Sequence, residues 1–151
     1  MGDITKGMEA GFIATIVVSL LLLVQQISGL APEFAFITFV NYAAGTEMQP
    51  AMGWVVHFIV GTLLFGVGFA AFSPHMWGPH WVRGVVFGLI TWLLMMVAFL
   101  PAAGLPMFGL DMGLSTAILG LVINLTFGVV LGETYHLLLH YLPSEVDENA
   151  G

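Results

Sequence analysis

The sequence contains no cysteine among its 151 residues. That excludes disulfides, thiolate metal sites and cysteine nucleophiles. Charge is nearly as scarce: 7% of residues are charged, against about 25% in soluble domains. Nine acids face two bases, Lys6 and Arg83. Two separated bases form no basic patch, so no nucleic-acid partner is expected. No glycine-rich phosphate loop is present. Ser19, Ser28, Ser73 and Ser115 have no evident base and orienting partner, so the chain reads as non-enzymatic.

What remains is apolar. Hydrophobic residues make up 59% of the chain, and mean hydropathy is +1.02. A water-soluble fold of this size cannot hide so much apolar surface. The expected fold is an all-α membrane protein with four transmembrane helices. The apolar runs are Met8–Leu30, Ala51–Phe72, Val82–Leu100 and about Leu114–Tyr141. Each is long enough for a hydrocarbon core of about 30 Å. The first run exceeds a signal-peptide core of about 7–15 residues and is read as a retained span. Residues 31–50 are rich in Phe and Tyr and read as an interfacial segment, with a re-entrant loop as the alternative. Residues 1–142 form one predicted domain. Residues 143–151, with Glu145, Asp147 and Glu148, read as an acidic disordered tail. Lys6 opens the first span and Arg83 the third. The positive-inside rule then places both termini in the cytoplasm.

The spans also show an internal pattern. Lys6-Gly7-x-x-x-Gly11-x-Ile13 matches Arg83-Gly84-x-x-x-Gly88-x-Ile90, and His57-x-x-x-Gly61 matches Asn124-x-x-x-Gly128. This predicts two tandem hairpin repeats. Small-residue stripes follow: Gly7, Gly11 and Ala14; Gly61 and Gly68; Gly84, Gly88 and Thr91; Gly128 and Gly132. Such stripes let helix backbones approach closely in lipid. Together with Trp81-x-x-Gly84, Pro101-x-x-Gly104-Leu105 and the polar residue four before Gly128, this pattern resembles the YagU-like small bacterial inner-membrane proteins. Their functions are largely unknown. The resemblance implies four helices in a bacterial inner membrane. Asn124 stands where related sequences often carry His.

Three constellations could carry chemistry. His57 and Asn124 lie at similar depth and are predicted to form a helix-packing polar pair. No second intramembrane His matches His57, so haem held by this chain alone is not expected. Glu133, His136 and His140 share one face of the last helix. With His75 and His80 from the connector they form a candidate metal site. Met48, Met52, His57, Met107 and Met112 have the thioether and imidazole chemistry of Cu(I) ligands. The bland alternatives are solvation of a helix end for the His/Glu group and ordinary packing for the methionines.

The sequence therefore points first to an accessory or scaffold subunit of a larger membrane complex, such as a respiratory one, with no cofactor expected. A small oligomeric transporter or channel using His57, Asn124, Gln25 and Gln26 is the alternative. A metal- or cofactor-binding membrane protein is the second. The expected partners are the lipid bilayer and other membrane subunits or further copies of the chain.

Overall fold

A computed structural model describes residues 3–30, 35–45 and 49–141. Four helices are long and apolar enough to cross a membrane: α1 (Ile4–Ser28), α3 (Ala51–His75), α4 (His80–Ala102) and α5 (Leu114–Tyr141). A short helix, α2 (Phe36–Ala43), precedes α3. The chain is thus a multi-pass helical membrane protein. The acidic tail at 143–151 lies outside the described residues.

Local chemistry sets the helix limits. The Asp3 side chain accepts from the Lys6 backbone N–H at 3.1 Å, satisfying a donor that the first turn leaves free. Its carboxylate also lies 3.7 Å from Lys6 Nζ. Helix α1 stops at Gly29, whose φ of 66° suits a residue without a Cβ. Pro50 begins the helical run that continues as α3, where a missing N–H costs nothing. Between α4 and α5 the chain makes a tight turn, Met107–Met112, with Phe108 and Gly109 at φ 58° and 62°.

Glycine controls the packing. A Cβ on Gly11 would sit 2.7 Å from the Gly61 carbonyl oxygen, and one on Gly7 would sit 2.6 Å from that of Gly66. On the other hairpin, a Cβ on Gly88 would lie 2.5 Å from the Asn124 carbonyl oxygen, and Gly84 and Gly128 each face the other's carbonyl. Real Cβ atoms do not come so close. Each hairpin is therefore closed backbone against backbone, α1 on α3 and α4 on α5.

The register differs from the sequence alignment. That alignment set His57 and Gly61 against Asn124 and Gly128. In the structure Gly61 faces Gly11 as Asn124 faces Gly88, and the next contacts are made by Gly66 and Gly128. The step is five residues on α3 and four on α5. A π-helical stretch at Val60–Gly66 takes up the extra residue. Gly66 therefore takes the packing role expected of Gly68, whose added Cβ would meet only Phe87, at 3.7 Å.

The hairpins join through α1 and α5. Ala10 and Ala14 of α1 are fully buried there, as is Leu131 of α5. On the other side, α3 and α4 meet through aromatic rings instead of backbones. Phe87 lies 5.4 Å from Phe69 and 6.2 Å from Phe65, ring centre to ring centre. These rings, with Phe127 and Tyr135, fill the half of the bundle nearer the termini.

Gly128→Ala should lower stability by about 1–3 kcal/mol through overpacking. Gly68→Ala should be neutral or stabilising, since Ala favours a helix over Gly by about 1 kcal/mol. Thermal unfolding in one detergent compares them directly, and equal midpoints would contradict the packing scheme.

Candidate functional site

The half of the bundle away from the termini holds a cavity of about 270 Å3 between α3, α4 and α5, with α2 alongside. Its wall is almost wholly apolar. Phe36 and Phe39 of α2, Phe65 of α3 and Met95 and Met96 of α4 contribute to it. Three polar side chains reach the wall: His57, Thr91 and Asn124. The π-helical stretch of α3 supplies Val60, Gly61 and Phe65; a second one in α4, Met95–Phe99, supplies Met95, Met96 and Phe99. Such stretches widen a helix locally and recur at functional sites.

Two of the polar groups are committed elsewhere. The Asn124 amide donates to the Gly120 carbonyl at 2.8 Å. The Thr91 hydroxyl lies 3.0 Å from the Gly88 carbonyl and 3.1 Å from Asn124 Oδ1. Asn124 is thus tied to Thr91 across the α4–α5 seam. The expected His57–Asn124 pair shares one cavity without a hydrogen bond between its members. His57 lies one turn before Gly61, the residue of α3 that holds Asn124's place in its hairpin. Among the described residues His57 Nε2 is buried with no hydrogen-bond partner. Three aromatic rings meet the imidazole edge-on: Phe36 at 5.5 Å, Trp54 at 6.1 Å and Phe58 at 5.8 Å.

The sequence missed α2 as part of this site. Asn41 of α2 is buried against Gly53, where a Cβ would come within 2.8 Å of its amide. That contact docks α2 on α3 and carries Phe36 to His57. The polar Asn41 within an aromatic stretch and Gly53 early in α3 were the available signals.

Of the copper constellation, His57 alone lines the cavity among the described residues. Met52, Met107 and Met112 are absent from the cavity wall, and Met107 is exposed. Met48 lies outside the described residues.

At the terminal end three histidines do come together, one pair stacked and the other edge-on. His80 and His136 are 4.4 Å apart and nearly parallel. His136 and His140 are 4.1 Å apart. His140 Nδ1 lies 3.1 Å from the His136 carbonyl. Glu133 stands near His80, and His75 is exposed at the end of α3. Among the described residues no three His, Asp or Glu side chains converge on a point that could hold a metal ion.

Two expectations follow. Thr91→Val should destabilise the bundle by about 0.6 kcal/mol, the usual worth of an interhelical hydrogen bond in membranes. Thr126→Val should cost less, because Thr126 bonds only Val122 of its own helix at 2.8 Å. Replacing His136 and His140 together by Ala should cost at most about 1 kcal/mol, as for polar groups at helix ends. Loss of stoichiometric metal from that double variant would instead show a metal site.

No curated protein and no solved structure matches the chain significantly. A family described as of unknown function, DUF6789, matches residues 1–145. The chain belongs to the DUF6789 family.

Proposed function

We propose that the protein is a non-enzymatic membrane subunit that holds a small apolar molecule within the bilayer. The carrying observation is the apolar cavity between the two glycine-closed hairpins. At about 270 Å3 it is close to the small end of ligand sites, which span about 300–1,000 Å3. Membrane depth favours an occupant drawn from the lipid phase. The rigid frame around the cavity and the exposed apolar faces of α1 and α4 suit an accessory role beside other membrane subunits. Lys6 and Arg83 lie at the end shared by both termini. That end is assigned to the cytoplasm of a bacterial inner membrane, in keeping with the YagU-like resemblance.

The transporter reading has less support. Phe69, Leu131 and Tyr135 are buried in the half nearer the termini and fill it with large side chains. Gln25 is half-buried and donates to the Leu30 carbonyl at 2.5 Å, at the far end of α1.

Native mass spectrometry of protein purified in mild detergent tests the proposal. The expected result is one apolar molecule per chain, lost in Val56→Trp, which fills the cavity wall, and retained in Val55→Trp, which faces outward. An empty wild-type protein, or an adduct indifferent to Val56→Trp, would contradict it.

A further inference from the structure

We propose that the cavity takes a lipid-soluble quinone, with the ring oxygen against His57 and the tail leaving between α3 and α4. This rests on the ligand-holding function above and names the class of ligand.

His57 sets the chemistry that the ligand must meet. A buried polar atom left without a partner costs about 1–3 kcal/mol, and water does not supply one at bilayer depth. Thr91 and Asn124 bond each other and their own helices. The imidazole is the polar group on the wall whose Nε2 has no partner. A purely hydrocarbon ligand leaves that deficit in place. A ligand with an oxygen on an otherwise apolar ring removes it.

The imidazole chemistry narrows the class further. Neutral His offers one N–H donor and one bare nitrogen acceptor. It can donate to a quinone carbonyl, and it can accept from the hydroxyl of the reduced form. One residue therefore suits both members of a quinone–quinol pair. The cavity has room for a substituted six-membered ring and the first part of a tail. Aromatic side chains from four helices, Phe36, Phe65, Phe99 and Phe127 among them, line it, and they favour a flat ring over a bulky polar headgroup.

The route for the tail is also in the fold. Backbone contact closes α1 on α3 and α4 on α5, whereas α3 and α4 meet through rings nearer the termini. Beyond those rings Phe99 of α4 both lines the cavity and is 45% exposed on the outer face. A chain leaving there enters lipid directly.

Titration calorimetry in detergent, with decylubiquinone and decylbenzene as probes, tests this on the full chain. Wild-type protein should bind decylubiquinone saturably at one per chain. His57→Phe, which keeps the ring shape, should weaken that binding by at least about tenfold, the equivalent of 1.4 kcal/mol. His57→Gln, which retains a donor and an acceptor, should recover much of it. Decylbenzene affinity should be unchanged by either substitution, and Val56→Trp should abolish binding of both probes. Unaltered melting of His57→Phe checks that the variant is folded. Equal binding of both probes, indifferent to His57→Phe but lost in Val56→Trp, would overturn the quinone assignment and leave the ligand cavity standing. Binding of neither probe would overturn both.

Discussion

The structure depends on the approach of bare backbone to bare backbone. In lipid no hydrophobic effect drives one apolar helix onto another, so close van der Waals contact has to supply the attraction. Gly84 against Gly128, and Gly7 and Gly11 against Gly66 and Gly61, supply it. A single methyl at most of these positions would meet a carbonyl oxygen. Each hairpin is therefore a tightly fixed unit. Their junction is asymmetric: α1 and α5 pack along their length, and α3 and α4 are held apart by phenylalanine rings.

That asymmetry produces the cavity. Where the rings end, the space between α3 and α4 stays open toward α2, and both bordering helices adopt π-helical turns there. On α3 the π turn brings Gly61 and Gly66 both onto α1, and its residues Val60, Gly61 and Phe65 line the cavity. One local irregularity thus serves packing and site together. The docking of α2 through Asn41 and Gly53 completes the wall, because it delivers Phe36 and Phe39.

Much of the frame was legible because spans obey simple rules of length and hydropathy. The limits of α5 agree with the sequence reading, and Gly7, Gly11, Gly84, Gly88 and Gly128 lie at seams as their spacing predicts. The alignment of His57 with Asn124 was not recoverable. Four-residue spacings fit several registers equally well, and which glycine meets which backbone is set by the α1–α3 and α4–α5 crossings; the π turn at Val60–Gly66 then adds one residue that spacing does not reveal. Thr91 was counted as a small residue in a packing stripe, yet its hydroxyl is what holds Asn124. The proximity of His136 and His140 follows from helical spacing. That His80 stacks on His136 depends on the α4–α5 crossing at Gly132, a tertiary fact. The cavity was invisible for the same reason: its wall draws on all five helices, and no single segment advertises it.

The central claim is that two glycine-closed hairpins hold open an occupied space beside His57. A high-resolution cryo-electron microscopy map of the protein in its native lipids tests this most directly, with a rigid binder bound to its exposed connector for alignment. The account requires α3 and α4 to be separated beyond the Phe65–Phe87 contact, with non-protein density reaching from His57 toward Phe99. A map in which α3 and α4 close on each other and bury His57 against Met96, with no density between them, would contradict it.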